Sequence, residues 1–438
     1  MNNSNFVRKL VLSKSSQAEL TLESFLFTSC CLHEYERRAG YPFVPGVLSS
    51  FNGSAAASVA RLALAVARVV TGQFDPAGHG TSNVSLAMLG GRLLALSESD
   101  LPYEIRVEED GDVVTLGQFD LGDRGLRRMT AHPKVDRATG EGFAYSYDVD
   151  RPFLTYFRTD SFGRKGKGVP INSVGDCCAV VHDFGLTESY AVFPVGKMVV
   201  RAAEVWRGRS PVGVDGGEKV ERVGIIGRYA EDDVGMTWVE ASGLNMMHCV
   251  NAWEEEEGRR VVVVGTNATE VGMFVEDFRR AGLRMERITI DVGGGRVTER
   301  EVLSPDSMDF GVINASYASR KNRYVYATIT DETSWKGIVK LDLSLNGSDC
   351  TVARRLYGPG CNGGETFFVP REPNNPSADE DDGYLITYVH NELVGESTFL
   401  VMDAKSPTLD IVATVKLPQR VPDGFHGLFV PESDLKKL

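Results

Sequence analysis

The stretch "YVYATIT" (324–330), followed by "GIVKLDLS" (337–344) and "SLNGSD" (344–349), decides the fold class of this chain. Two short runs rich in β-branched and aromatic residues are followed by a cluster of Ser, Asn, Gly and Asp. That is the chemistry of strand, strand and turn. The same texture recurs in "GRLLALSES" (91–99), "VVTLGQFDL" (113–121), "GFAYSYDV" (142–149), "FLTYFRTD" (153–160), "SYAVFPV" (189–195), "RVVVVGTN" (260–267), "MERITIDV" (285–292), "GYLITYVH" (383–390) and "STFLVMDA" (397–404). Turn residues separate these runs, as in "DVGGGRV" (291–297) and "DAKSPTLD" (403–410). So many short strands predict an all-β protein, and 438 residues are too many for one sandwich. No fixed-period signature recurs. Radial repetition nevertheless accommodates this many strands in one body, so a β-propeller is the expected architecture. No low-complexity linker interrupts the chain. One domain is therefore expected over 33–438, preceded by an unassigned segment, 1–32.

One segment departs from this pattern. "SAAASVARLALAVARVVTG" (54–72) reads as a helix, with Ser54 to cap its start and Gly72 to end it. Arg61 and Arg68, seven apart, share a face, and the remainder is Ala, Leu and Val. Two readings stand: a helix packed on the protein body, or one lying in a membrane interface with its arginines reaching the headgroups.

The composition excludes several classes. A net charge of −13 argues against nucleic-acid binding, which recruits Lys and Arg. Nothing resembles a run of about 18–20 apolar residues long enough to span a bilayer. Seven cysteines, an odd count without C-x-x-C, argue against a disulfide framework or a zinc ribbon and fit a reducing compartment. Residues 1–18 are Ser-containing, basic and free of acids, a weak form of an organelle leader. The acidic runs "WEEEEGRR" (253–260) and "SADEDDGY" (377–384) read as solvated loops, since neither has the spaced pattern of a calcium loop. "GRKGKG" (163–168) reads as a basic hairpin tip and not as a phosphate loop, because it does not lead from a strand into a helix.

Four of the seven histidines have informative surroundings: His132 in "MTAHPKVD", His182 in "AVVHDFGL", His248 in "LNMMHCVNAW" and His426 in "DGFHGLFV". A neutral imidazole among large apolar side chains needs partners for its nitrogens, or a metal. The four are separated by 50, 66 and 178 residues, so no local loop gathers them. Inner strands of a radially repeated fold could each aim one side chain at the axis. Four imidazoles without a cysteine suit a borderline metal: iron, copper, nickel or zinc. His33, His79 and His390 have settings that suggest no such role.

Several motifs together resemble the carotenoid cleavage dioxygenases of plants, and among them the type-four subfamily that forms small volatile apocarotenoids. They are "ESDLPY" (98–103), "MTAHPK" (129–134), "VHDFGLT" (181–187), "NAWEEEE" (251–257), "YGPGCNGGETFFVPRE" (357–372), "VMDAKSP" (401–407) and "VPDGFHGLFV" (421–430). The resemblance runs from Glu34 to Leu438, about nine-tenths of the chain. It implies a seven-bladed propeller with a helical cap and an Fe(II) ion held by His132, His182, His248 and His426. It also implies that Glu98, Asp309 and Glu365 steady the ligand imidazoles. Asp309 stands where many relatives have Glu, and its shorter side chain predicts a longer or water-bridged contact. The implied reaction cleaves a carotenoid or apocarotenoid double bond with O2 into two carbonyl products, at the 9,10 (9′,10′) positions for this subfamily. Phe184 and Phe425 are candidates to line the substrate tunnel. The implied location is the plastid, including the chloroplast and its plastoglobules; the weak leader leaves the cytoplasm open. A membrane surface is an expected partner through 54–72, and no nucleic acid or protein partner is expected.

The front of the chain departs from the family pattern. The R-N-G-P-N-P and G-D-G-M-L-H elements are not present, and 1–32 offers at most one strand, within "ESFLFTSCCL" (23–32). The expectation is an incomplete blade where the propeller closes. The alternative function is a truncated, inactive paralogue that binds iron or carotenoid without turnover.

Overall fold

The computed structural model describes residues 24–26, 63, 67, 71, 82 and 84–438, the last range apart from 99, 109–110, 112, 149–150, 176–177, 202–211, 218–219, 275–279, 333, 374 and 422–425. His33, His79 and Phe425 lie outside the described residues. So does most of the helix expected over 54–72, of which one turn is seen where the Thr71 N–H donates to the Ala67 carbonyl at 3.0 Å. Among the described residues no helix is long and apolar enough to cross a membrane.

Antiparallel strands dominate, and the chain divides into two compact units. The first comprises 1–179, 198–213 and 426–438. Its first sheet is a four-stranded meander of Ser85–Leu89, Arg92–Leu96, Tyr103–Val107 and Val113–Gln118. Its second is Lys134–Val135, Gly142–Tyr147, Leu154–Thr159 and Val169–Pro170. The strand "RLLAL" shows why the inner strands read as unbroken apolar runs. Leu94 and Leu96 join Phe119, Met129, Ala144 and Phe157 on the side of the second sheet. Leu93 and Ala95 face the other way, with Leu86, Ile105 and Val430. A strand buried on both faces has no polar positions to alternate.

The two chain ends meet in this unit. Ser24–Leu26, inside the stretch singled out from sequence, pairs antiparallel with Gly427–Phe429, and Phe25 stands opposite Leu428. Leu428, Leu435 and Leu438 pack beside Val430 against the first sheet. Among the described residues this sheet has two strands, where the first and second sheets of the unit have four each.

The second unit, 180–197 and 214–425, holds four sheets in chain order. The third sheet is Gly185–Leu186, Tyr190–Val195, Arg222–Gly227 and Thr237–Glu240. The fourth is Met246–Glu255, Arg260–Ala268, Leu283–Asp291 and Arg296–Val302. The fifth is Met308–Val312, Tyr324–Thr330, Trp335–Asp342 and Thr351–Leu356. The sixth is Cys361–Asn362 and Phe367–Pro370, both pairing with Gly383–Asn391, then Glu396–Asp403 and Ile411–Lys416. Successive sheets share cores through alternate residues of one strand. Val261 and Val263 join Val192, Val223 and Ile225 of the third sheet, whereas Val262 and Val264 join Val325, Ala327 and Val339 of the fifth. Tyr326 and Ile338 then pack on Leu385, Val389 and Leu400 of the sixth. Each such valine stabilises the stack by about 1.5–3 kcal/mol. Stacked four-stranded meanders are the repeating unit of a propeller.

The last strand of the fourth and fifth sheets is partly exposed and carries Arg or Glu, as in "RVTEREV" and "TVARRL", and that of the sixth, "IVATVK", is exposed and ends in Lys416. This discourages further strand pairing.

The acidic runs are solvated turns only in part: Glu256, Glu257 and Asp379 are exposed as expected, but their neighbours are not. Glu254 and Glu255 belong to a strand, and Glu254 accepts hydrogen bonds from the Thr187 hydroxyl (2.5 Å) and the Ser189 N–H (2.6 Å). Glu380 accepts the backbone N–H groups of Arg323 and Tyr324. Asp381 is buried against the Lys340 ammonium at 2.6 Å, and Lys340 also lies over the Tyr324 ring at 4.1 Å. The fold needs acceptors at these places, and composition alone does not distinguish such carboxylates from solvated ones.

Candidate metal centre

Each candidate histidine stands at the start of a strand. His132 precedes Lys134–Val135, His182 precedes Gly185–Leu186, His248 lies near the start of Met246–Glu255, and His426 precedes Gly427–Phe429. These are the places where a strand enters its sheet, and the local backbone is irregular. The pairing of Met246–Glu255 with Arg260–Ala268 shifts register on both sides of His248–Cys249. Such bulges re-aim a side chain. Opposite Cys249 stands Gly265, where a Cβ would run into the His248 carbonyl, so the close approach of these strands requires glycine.

In the second unit the Nε2 atoms of His182 and His248 are 3.2 Å apart, and the rings are inclined at 62°. Two nitrogens bound at right angles to one metal at about 2.1 Å would be about 3.0 Å apart. The pair therefore has the spacing of neighbouring ligands. In the first unit the His132 and His426 rings lie edge to face, with centroids 4.7 Å apart. All four imidazoles are half-buried.

His248 Nδ1 donates to Asp309 Oδ1 at 2.8 Å. This leaves the Nε2 lone pair pointing away from the carboxylate and fixes the tautomer a metal ligand needs. The contact is direct, not the longer or water-bridged one expected for an Asp at this position. Its cause is the backbone. The pairing of Met308–Val312 with Tyr324–Thr330 jumps from Asp309 opposite Thr328 to Val312 opposite Tyr326, and Phe310 takes φ +53°. The bulge carries Asp309 forward and lays the Phe310 ring against His248, with centroids 5.6 Å apart. Asp309 is only 2% exposed. Burial works against its charge, but the His248 imidazole and the Phe310 N–H outweigh it and hold the carboxyl below its ordinary pKa.

Asp183, which sequence reading passed over, ties the His182 and His248 segments together. It is buried, accepts the Phe184 N–H at 2.7 Å through Oδ1 and accepts the Cys249 N–H at 2.8 Å through Oδ2. One carboxylate thus links the residue after His182 to the residue after His248. Its position beside a candidate ligand in "VHDFGLT" was the available signal.

A family described as RPE65, retinal pigment epithelial membrane protein, matches residues 4–431. An Arabidopsis thaliana protein named probable carotenoid cleavage dioxygenase 4, chloroplastic, is 49% identical over 412 residues, which are 93% of this chain and 69% of that protein. The chain belongs to the carotenoid cleavage dioxygenase family. A rice 9-cis-epoxycarotenoid dioxygenase, chloroplastic, is 48% identical over 92% of this chain, which spans 63% of that relative's length. A Crocus sativus zeaxanthin 7,8(7′,8′)-cleavage dioxygenase, chromoplastic, is 47% identical over 83% of this chain and 99% of its own length. Among solved structures, lignostilbene dioxygenase of Pseudomonas brassicacearum superposes with a TM-score of 0.74 at 19% identity, over 98% of this chain and 92% of that one. A Synechocystis apocarotenoid oxygenase variant superposes with a TM-score of 0.71 at 23% identity, over 93% and 83%. These likenesses establish the β-propeller fold for this member of the family.

The remaining expected site residues fall as follows. Glu98 and Glu365 are half-buried, Glu98 just beyond Arg92–Leu96 and Glu365 between Cys361–Asn362 and Phe367–Pro370. Phe184 is fully buried and stacks on Phe193 at 5.4 Å. His390 is buried, with Nδ1 hydrogen-bonded to the Ser397 hydroxyl at 2.8 Å. Replacing Asp309 with Asn should lower metal affinity about 10–100-fold, the usual cost of losing a carboxylate behind a ligand histidine. Metal retention against graded chelator measures this, and an affinity equal to the parent's would remove Asp309 from the role.

Proposed function

We propose that this chain is a non-haem Fe(II) dioxygenase that cleaves a carotenoid or apocarotenoid double bond with O2 into two carbonyl products. The observation that carries the reading is the His182–His248 pair at ligand spacing, with Asp309 fixing one tautomer. In this reading His132 and His426 join that pair on one iron, and Glu98 and Glu365 steady two of the other imidazoles as Asp309 steadies His248. The donor set fits iron: four neutral nitrogens leave the ion its full charge, which favours the ferrous state. Bound iron would supply the dioxygen chemistry that splits the alkene.

The chain's own residues hold the ligands in place and keep water out. Phe310 covers one face of His248, and Phe184 supports the His182 segment from the core. Phe425 is proposed to line the path of the apolar substrate. We place cleavage at the 9,10 (9′,10′) bonds, in keeping with a pea relative named for that position, although the Crocus relative is named for the 7,8(7′,8′) bonds. Plastid location follows the relatives named chloroplastic and chromoplastic, and docking on plastid membranes or plastoglobules is assigned to 54–72.

Iron content and the products formed from a C40 carotenoid by the purified chain test the proposal together. Bound iron with apocarotenals of 9,10 length supports it in full, and products of 7,8 length would correct the bond alone. Bound iron or carotenoid without products would select the inactive paralogue. A chain that takes up no Fe(II) would end the reading.

A further inference from the structure

A cavity lined by arginines stands in the first unit, and none of the four candidate histidines lines it. It has a volume of about 230 Å³ and lies between the 125–128 turn and the hairpin of Gly142–Tyr147 and Leu154–Thr159. Among the described residues three arginines line it, Arg127, Arg128 and Arg151, together with Ser146, Thr155 and one carboxylate, that of Asp148. In a chain of net charge −13, three guanidinium groups around one small cavity are a marked local reversal of sign.

Ser146 and Thr155 are directly opposite one another on the paired strands, so their hydroxyls form a fixed floor. The arginine turn is held to the same hairpin, since the Thr130 N–H donates to the Tyr145 carbonyl at 2.8 Å. Arg127 and Arg151 are exposed at the rim, and Arg128 is half-buried. The Nε of Arg128 is buried without a hydrogen-bond partner. A buried guanidinium donor left unpaired is costly and calls for a missing acceptor.

We infer that this cavity binds a phosphate group. Guanidinium and hydroxyl donors approach from several sides, which suits a tetrahedral oxyanion that accepts in every direction better than a planar carboxylate. The volume leaves room for an ester substituent. Two sources present this chemistry: the headgroup of an anionic phospholipid, or a soluble phosphate or phosphate ester.

The test uses the full chain in three forms: wild type, Arg128→Gln, and the double variant Arg127→Gln/Arg151→Gln. Inorganic phosphate binding is measured by calorimetry. Flotation is compared on phosphatidylcholine vesicles with and without phosphatidylglycerol. Each variant should weaken phosphate binding about 10–100-fold, the usual worth of charge-assisted hydrogen bonds. If preference for phosphatidylglycerol vesicles falls in parallel, the source is a lipid headgroup. If phosphate binding falls while flotation is unchanged, the ligand is soluble. The double variant decides the matter should Arg128→Gln fail to fold. Phosphate binding that is undetectable in wild type, or unchanged in the folded variants, overturns the proposal. None of these readouts depends on iron or on carotenoid cleavage.

Discussion

Replacing His248 with alanine should strip the protein of iron and lower carotenoid cleavage by at least about a thousandfold, because residues that act as one constellation fail together. His248 is doubly engaged. Its Nε2 faces His182 at 3.2 Å, and its Nδ1 satisfies the buried Asp309. The alanine variant removes the imidazole donor from a buried carboxylate and leaves it the Phe310 N–H, which should cost about 2–3 kcal/mol of stability. The two losses can be separated. The double variant His248→Ala/Asp309→Asn removes the stranded charge, so stability should largely return while iron binding does not. Urea unfolding and metal analysis on both proteins report this. A single variant that keeps its iron and its turnover would exclude His248 as a ligand.

The fold class was legible because inner strands are written in a plain chemical code. "RVVVVGTN" and "YVYATIT" are buried on both faces, and β-branched and aromatic residues dominate them. Each of the eleven runs named from sequence coincides with a strand of the structure. Most strands passed over are of two kinds, although the inner strand Arg222–Gly227 was missed as well. Outer ones such as Arg296–Val302 and Thr351–Leu356 are partly exposed and carry Arg or Glu, so they read as loop. Strands that open a sheet carry site or buried polar residues in place of apolar ones. Met246–Glu255 reads "MMHCVNAWEE": Asn251 is buried in a network with Tyr317, Arg320 and Asn322, and Glu254 holds the turn at Ser189. The histidines stood out because an imidazole among apolar residues is chemically conspicuous. Asp183 and the bulge at Phe310 did not, because their roles depend on neighbours 66 and 61 residues away in the paired segments.

Asp183→Ala should destabilise the protein by about 2–6 kcal/mol, since each of two buried N–H groups, those of Phe184 and Cys249, would lose its acceptor at about 1–3 kcal/mol. The effect should also reach the metal. The two bonds hold the backbone next to His182 and next to His248, and neither imidazole can keep its aim if those backbones drift. Iron affinity should therefore fall along with stability, although Asp183 itself offers the ion nothing. Asp183→Asn is the discriminating variant. Its single amide oxygen can accept one of the two N–H groups, and its NH2 would face the other donor, so it should resemble alanine more than the parent. Urea unfolding gives the stability, and competition with a chelator gives the affinity. If stability falls in both variants while iron affinity stays at the parent's value, the carboxylate is a brace for the fold alone. A loss in both quantities makes it the residue that sets the distance between the two histidines.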